Sequence, residues 1–314
     1  MVGNRWLTRA MIGLAGVAVA VGVGATLVVG EFAGEVGHIA IPPDDSATAP
    51  DDEEAVDVLV MGSDSREQPG DFLHGSRSDV MMLAHIPPPD HGPVRVMSIY
   101  RDLWVELPGR GAHKINAATA FGGPELAVRA VEDLVDTHID HTVLLDFAGF
   151  REITDAIGGV DLDNPREFDA RGHHFDDGPI HVDGEDALTF VRERYEFDGG
   201  DFTRVDNQQL FLRALLDEVF SREIVTNPVR LSALLRDAGQ YLWLDDGLTL
   251  PRMVSLASRV VDTGLGDVEY FAVPVAGVGT SDDGQSIVLP DVAGLGELRA
   301  AFDREDFEDY LAGH

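Results

Sequence analysis

Residues 56–99, VDVLVMGSDSREQPGDFLHGSRSDVMMLAHIPPPDHGPVRVMSI, carry the pattern that decides the fold. Three apolar runs, at 56–61, 80–86 and 94–99, have the length and composition of buried strands. The segment PPPDHGP between the second and third runs predicts a hairpin-like connection. The three runs are therefore expected to be strands of one sheet.

Helices and strands alternate along the remainder of the chain. The residues of 203–220 repeat their apolar positions at a helical period and predict the clearest helix. Further helices are predicted at 115–121, 124–137, 148–157 and 248–261, and further strands at 142–145, 160–162 and 268–273. This alternation predicts a layered α/β domain. No linker or internal repeat interrupts it.

The N-terminal region contains a predicted membrane anchor. Residues 10–30 carry no charge and would span roughly 30 Å as a helix, the thickness of a hydrocarbon core. Arg5 and Arg9 precede this run, which places the N-terminus in the cytoplasm. A buried helix of a soluble domain is the alternative. The predicted organisation is a cytoplasmic tail (1–9), a transmembrane helix (10–30), an acidic, proline-rich linker (31–55), an extracytoplasmic catalytic domain (56–305) and a C-terminal tail (306–314).

Composition excludes several functions. The 314 residues carry a formal charge of −33, which repels nucleic acid unless a local basic patch overrides it. No cysteine is present, which excludes disulfides, thiolate catalysis and cysteine-ligated metals. The acidity fits either an ordinary solvated surface or, as we favour, a host that lives in high salt, where screening makes self-repulsion tolerable.

A cluster of basic side chains is predicted in the segment VRERYEFDGGDFTRVDNQ. An extended conformation over 190–195 would place Arg192 and Arg194 on one face. Arg204 and Gln208 are four residues apart, so they share a face of the predicted helix. These side chains are therefore expected to converge.

This cluster has the chemistry of an anion site. Asp201 precedes the helix, so the segment combines guanidinium groups, an amide and a carboxylate. Arginine forks bind phosphate oxygens in a bidentate manner. The alternative is surface ion pairing, in which Arg192, Glu193, Arg194 and Glu196 neutralise one another.

Two other features are candidates for function, and a group of histidines is not. Asp64 and Asp79 flank two predicted strands, and paired carboxylates with phosphate oxygens suit Mg²⁺; ordinary turn chemistry is the alternative. Lys114 is the single lysine among 23 basic residues, so it is either a chance survivor or a point charge placed against a phosphate. His173, His174 and His181 match no compact metal motif and are expected in an exposed loop.

In order and spacing, these segments resemble the LytR–CpsA–Psr family of cell-envelope proteins. The resemblance covers residues 56–221 and extends more weakly to about 302. It is carried by VLVMGSDSR, RSDVMMLAHI, VMSIYRDLWVELPG, HKINAATAFGG, DFAGF…DAIGGV and DGEDALTFVRERYEFDGGDFTRVDNQQLFLRAL. It implies a three-layer α/β/α sandwich with a mixed central sheet, and a deep apolar pocket for a polyprenyl tail.

The resemblance also implies a function and a site. Members transfer an envelope glycopolymer from a polyprenyl-pyrophosphate carrier to a muramic acid hydroxyl of peptidoglycan. The implied metal is Mg²⁺, with Mn²⁺ as the alternative, on Asp64 and Asp79. The implied carrier-binding residues are Arg101, Lys114, Arg192, Arg194, Arg204 and Gln208; the implied catalytic residues are Arg101, Asp102, Asp201 and Arg204. Asp102 or Asp201 is expected to accept the hydroxyl proton.

One departure and three alternatives remain. Tyr100 stands where the family usually has proline before Arg-Asp, so the loop that carries Arg101 is expected to be less rigid. A pyrophosphatase would use the same residues with water as the acceptor. A non-enzymatic carrier-binding protein would not need both Asp64 and Asp79. A transcriptional attenuator is disfavoured, because the chain has no helix-turn-helix or basic patch.

Overall fold

The structure is a computed structural model that describes residues 37–39, 41, 54–63, 76–89, 91–197, 199–219, 239–263 and 267–313. The predicted anchor at 10–30 and the predicted metal ligand Asp64 lie outside these ranges. Within them, no helix has both the length and the apolar character needed to cross a membrane.

A mixed sheet of seven strands forms the centre of the molecule. Its strands are β1 (Gly37–Ile39), β2 (Val56–Ser63), β3 (Ser78–Ile86), β4 (Arg95–Ser98), β7 (His141–Asp146), β12 (Leu242–Asp245) and β13 (Glu269–Ala272). Their order is β1-β12-β7-β2-β3-β4-β13. β2 pairs parallel with β7 and antiparallel with β3, and β3 pairs antiparallel with β4. The predicted hairpin-like connection is thereby confirmed.

Four two-stranded sheets and a set of helices surround this centre. The small sheets are β5 (Trp104–Leu107) with β6 (Gly111–Lys114), β8 (Val160–Asn164) with β11 (Gly178–Val182), β9 (Phe168–Ala170) with β10 (His173–Phe175), and β14 (Val275–Thr280) with β15 (Ser286–Pro290). The described helices are α1 (Ala117–Val135), α2 (Phe147–Ile157), α3 (Gly184–Arg192), α4 (Asp201–Val219), α5 (Leu250–Thr263), α6 (Val292–Arg304) and α7 (Glu308–Gly313).

Alternation along the strands builds a core on each face of the central sheet. Leu59 and Met81 belong to a core that also contains residues of α1 and α6. Val58 and Met82, one position away, belong to a second core, which includes Leu256 of α5. Successive strand residues point to opposite faces, so each strand feeds both cores. Helices therefore cover the sheet on both sides.

The sheet extends beyond the predicted domain start at residue 56. β1 lies inside the range assigned to the linker, and it pairs in parallel with β12 through the register His38↔Leu244. The last described helix, α7, runs into the range assigned to the C-terminal tail, where Tyr310 is buried.

A third core lies under the smaller sheets and fixes the segment that carries the basic cluster. Phe168, Phe175 and Phe190 pack together with ring centroids 4.7–5.6 Å apart. Phe190 is fully buried, and burial of such a side chain contributes about 1.5–3 kcal/mol. This packing ties the β9–β10 hairpin to α3.

The prediction of an extended segment at 190–195 is wrong. The chain is helical through Arg192, and α3 begins at an Asp183 N-cap whose carboxylate accepts from the backbone N–H groups of Glu185 and Asp186. This cap favours a helix, as do the acidic residues of the first turn, which oppose the helix dipole.

Candidate active site

Six arginines line one cavity beside the ends of β2 and β3. The cavity has a volume of about 400 Å³ and is lined by Ser76, Arg77, Asp79, Val80, Arg101, Arg171, Arg192, Arg194, Tyr195, Arg204 and Gln208. Among the described lining residues, six arginines against one aspartate give a formal charge of +5. A cavity of this sign attracts anions, even though the whole chain carries −33.

Asp79 is the one carboxylate among the described residues that line this cavity, and it is already paired. The guanidinium of Arg101 donates to Asp79 Oδ1 at 2.5 Å. Asp79 follows the start of β3, where Ser78 pairs with Ser63 at the end of β2. The sheet register therefore places the end of β2 beside the start of β3, so the two predicted metal-ligand segments meet at the same end of these strands. Asp64 itself lies outside the described residues.

Asp201 holds two arginines at the N-terminus of α4. Arg204 Nη2 donates to Asp201 Oδ2 at 2.8 Å, and Arg194 Nη1 lies 3.6 Å from Asp201 Oδ1. Arg204 is only 4% exposed, and burial lowers the pKa of its guanidinium. Arg204 Nε and Asp201 Oδ1 are buried without a hydrogen-bond partner among the described residues. Buried polar atoms of this kind are expected where a ligand completes the network.

Arg194 is oriented by its neighbours. Glu193 is buried, and its Oε1 accepts from the backbone N–H groups of Arg194 and Tyr195 at 2.8 and 2.6 Å, which fixes the turn after α3. Arg194 Nη2 donates to the Tyr195 hydroxyl at 2.7 Å. Burial acts to lower the pKa of Arg194, but this hydrogen bond and the negative charges of Asp201 and Asp102 raise it overall.

Of the remaining predicted residues, two line the cavity and Lys114 does not. Arg192 lines the cavity and lies over the Phe147 ring at 4.2 Å. Gln208 also lines it, and its amide donates to Val191 O at 3.2 Å, which ties α4 to α3. Lys114 does not line this cavity; its Nζ lies 3.1 Å from Asp102 Oδ1, and Arg101 Nε lies 3.8 Å from the same oxygen.

Five lining residues were absent from the predicted site: Ser76, Arg77, Val80, Arg171 and Tyr195. Arg171 reaches the cavity from the β9–β10 turn, Arg77 from the residue before β3, and Tyr195 from the turn after α3. Arg77 and Tyr195 lie within the quoted segments that carry Asp79 and Arg194, so their positions in the sequence could have indicated them. Arg171 had no such indication, because only the tertiary fold brings its hairpin to the cavity.

His173 and His174 each pair with a carboxylate in the structure. His173 bonds to Asp186, His174 to Asp169 at 2.8 Å, and both lie on β10 rather than in the predicted loop. Across the described part of the chain, no group of three or more His, Asp and Glu side chains is placed to hold a metal ion.

The fold and site define an α/β protein with a mixed central sheet and a strongly cationic cavity at one sheet edge. The model of the LytR_cpsA_psr family matches residues 37–301. The chain belongs to this family.

Three relatives illustrate the similarity. The polyisoprenyl-teichoic acid–peptidoglycan teichoic acid transferase TagU of Bacillus mycoides (strain KBAB4) is 39% identical over 164 residues, 52% of each chain. The protein of the same name from Bacillus cereus (strain AH820) is 32% identical over 241 residues, 76% of each chain. The crystal structure of B. subtilis TagV superposes with a TM-score of 0.67 at 26% identity, over 80% of this chain and 97% of that one. The chain spans about half the length of the first curated relatives that it matches.

Proposed function

We propose that this protein is a membrane-anchored, extracytoplasmic phosphotransferase that moves an envelope glycopolymer from a polyprenyl-pyrophosphate carrier onto a peptidoglycan hydroxyl. The observation that carries the proposal is the cavity whose described lining residues include six arginines and carry a formal charge of +5. A pyrophosphate is a compact polyanion of the kind that convergent guanidinium forks bind. The names of the relatives supply the class of donor and acceptor.

The proposed reaction is an in-line displacement at phosphorus. The acceptor hydroxyl attacks the phosphorus that bears the glycan, the bond from this phosphorus to the bridging oxygen breaks, and polyprenyl phosphate leaves. The hydroxyl proton passes to the carboxylate of Asp102 or Asp201. Arg101, Arg194 and Arg204 stabilise the charge on the phosphate oxygens, which is the main form of catalysis open to phosphoryl transfer.

Mg²⁺ fits the donor chemistry of this site. Asp79 presents a carboxylate in the cavity, and Mg²⁺ is commonly held by one or two carboxylates, waters and substrate phosphate oxygens. Asp79 would hold the ion together with Asp64, and Arg101 would share Asp79 with it. When bound, the metal would act as a Lewis acid toward the pyrophosphate oxygens.

The anchor and its orientation are part of the proposal. The uncharged run at 10–30 and the preceding Arg5 and Arg9 support one membrane span with the N-terminus in the cytoplasm. The catalytic domain would then lie outside the membrane, where both peptidoglycan and the lipid-linked glycan are reached. The apolar pocket for the prenyl tail stays a prediction.

Acceptor dependence is the test of this function. The full chain, in detergent with Mg²⁺, is given a lipid-linked oligosaccharide pyrophosphate with and without soluble peptidoglycan fragments. We expect polyprenyl phosphate and glycan-linked muropeptide to form together, and only when the fragments are present. Release of polyprenyl phosphate at the same rate without fragments would show a pyrophosphatase instead.

Arg204→Lys tests the role of the arginine fork. The variant keeps the charge beside Asp201 but loses the planar pair of donors, so kcat/KM should fall about a hundredfold. Arg129→Lys, on the exposed face of α1, is the matched control and should keep wild-type activity. Because Arg204 is buried, thermal melts of the variant are compared with wild type, and Arg194→Lys repeats the test at a partly exposed position. Wild-type rates in both site variants would exclude this role.

A further inference from the structure

A second cavity adjoins the cationic one. Its volume is about 310 Å³, within the size range of small-ligand pockets. Arg194 and Tyr195 line both cavities, so the two share a wall. The second cavity is also lined by the carboxylates of Asp102 and Asp201. A molecule in it would therefore lie next to any phosphate held by the arginines.

The walls of this second cavity are well fixed. The β14–β15 hairpin supplies Val278, Ile287 and Val288. The backbone N–H of Val288 donates to the carbonyl of Asp102 at 2.9 Å, so the hairpin is bonded directly to the backbone of a lining carboxylate. Gly199 and Gly200 also line the cavity, and Gly200 has φ +54°, a conformation that favours glycine.

The lining combines hydrogen-bond acceptors with apolar surface. Two carboxylates line this cavity, and each is paired with a cation: Asp102 with Lys114 and Asp201 with Arg204. Paired carboxylates still accept hydrogen bonds from hydroxyl groups. The side chains of Tyr195 and Val278 are 77% and 67% exposed, and they offer apolar surface at the same cavity.

A sugar ring matches this combination, because it carries hydroxyl donors around its edge and C–H groups on its faces. We propose that the second cavity is the acceptor subsite, in which the hydroxyl-bearing sugar of a peptidoglycan strand contacts Tyr195 and Val278 and directs its hydroxyl to Asp102 and Asp201. The inference rests on the proposed function, and it adds the place and chemistry of acceptor recognition. Donor and acceptor would then approach the shared wall from opposite sides.

Val278→Glu tests the subsite without altering the arginine cavity. Val278 is exposed and pairs with Val288 in the hairpin, so the substitution keeps the strand and adds a charge at the cavity. Val254→Glu is the matched control: it adds the same charge at a 58% exposed valine on α5, which lines neither cavity.

Two probes are titrated into the full chain in detergent: a soluble peptidoglycan disaccharide-peptide and inorganic pyrophosphate. We expect Val278→Glu to weaken fragment binding by about tenfold or more, with pyrophosphate affinity unchanged. Val254→Glu should leave both affinities unchanged. Pyrophosphate should not displace the fragment from the wild-type protein.

The outcomes separate this inference from the proposed function. Unchanged fragment affinity in Val278→Glu, absence of fragment binding to wild type, or full displacement by pyrophosphate would each overturn the acceptor subsite. Fragment binding that Val278→Glu abolishes, without acceptor-dependent transfer by wild type, would support the subsite and overturn the phosphotransferase. Transfer by wild type with an unchanged acceptor KM in Val278→Glu would overturn the subsite alone.

Discussion

Arg171 occupies a backbone conformation that is unfavourable for arginine. It has φ +52°, and Gly172 after it has φ +91°, so the two-residue β9–β10 loop has the positive φ values of a type I′ turn. Such turns prefer Asn-Gly, and a left-handed conformation costs a residue with a Cβ roughly 1–2 kcal/mol. The Arg171 side chain lines the cationic cavity. The strained residue is therefore one whose side chain lines the cationic cavity.

Replacing Arg171 by Asn should separate stability from binding. Asn suits the turn, so the free energy of unfolding should rise by roughly 0.5–1 kcal/mol in urea denaturation. Pyrophosphate affinity should fall roughly two- to fivefold, the range of an exposed ion pair. Arg110→Asn, in another hairpin turn, lines neither cavity and should leave affinity unchanged. An Arg171→Asn variant that bound pyrophosphate like wild type would contradict a binding role.

Among the site residues, the sequence predicted those that lie near one another along the chain. Arg192, Arg194, Arg204 and Gln208 lie close together along the chain, and all four line the cavity. Lys114 was predicted at the phosphate, and this stays a prediction; in the structure its amine lies 3.1 Å from a carboxylate oxygen of Asp102, which lines the second cavity. The position of the Lys114 amine depends on which face of β6 carries the side chain. A single lysine in a short strand shows no periodicity from which that face could be inferred.

At the scale of elements, the sheet was more predictable than the segment between α3 and α4. The strands at 56–61 and 80–86 are long apolar runs, and both occur in the structure. The short segment 190–195 fits both the helical and the strand period. In the structure its first residues belong to α3, the helix that begins at the Asp183 N-cap. β1 has three residues and lies within the predicted linker; it is too short for a sequence pattern, and it is held by pairing with β12.

Asp245, the last residue of β12, joins β12 to the start of β7 and pairs with Ile39 of β1. Its Oδ2 accepts from the Thr142 N–H at 2.7 Å, and its Oδ1 accepts from Gly247 and Leu248 at 2.8 and 3.0 Å and lies 3.3 Å from His141 Nδ1. Burial acts to raise the pKa of Asp245, but these hydrogen bonds outweigh it and hold the pKa below the ordinary 3.8. The ionised carboxylate therefore stabilises the fold.

Asp245→Asn should lower the free energy of unfolding at neutral pH by about 1–3 kcal/mol, because an amide cannot accept on both sides. Since the folded pKa is depressed, this contribution is present above pH 3.8 and is lost as the pH falls through the folded value. Denaturation at pH 7 and at decreasing acid pH should show the variant approaching wild type. Asp246→Asn, at a side chain 74% exposed, is the control. A pH-independent difference would contradict the ionic contribution.

At the scale of the whole molecule, two fields of opposite sign coexist. The chain carries −33, whereas the described residues that line the cationic cavity carry +5. Self-repulsion of the acidic surface opposes compaction, and attraction of a polyanion by the cavity favours binding. Salt screens both effects, with a Debye length that falls from about 10 Å at 0.1 M to about 3 Å at 1 M.

Raising NaCl from about 0.1 M to 1 M should therefore raise the melting temperature and weaken pyrophosphate binding at the same time. Differential scanning fluorimetry and calorimetric titration of one preparation measure the two quantities. Sorbitol at matched osmolality is the control and should leave pyrophosphate affinity unchanged. A melting temperature that stays constant or falls with salt would show that the acidic surface does not govern stability, and would count against a high-salt host.

The Lys114–Asp102 pair makes this chain convenient for chemical footprinting. The sequence contains one lysine, so an amine-reactive reagent has a single side-chain target among 314 residues. That amine lies 3.1 Å from a carboxylate of the second cavity. The extent of labelling on one peptide, followed by mass spectrometry, would thus report occupancy of the site in the native protein, with no engineered probe and no background from other lysines.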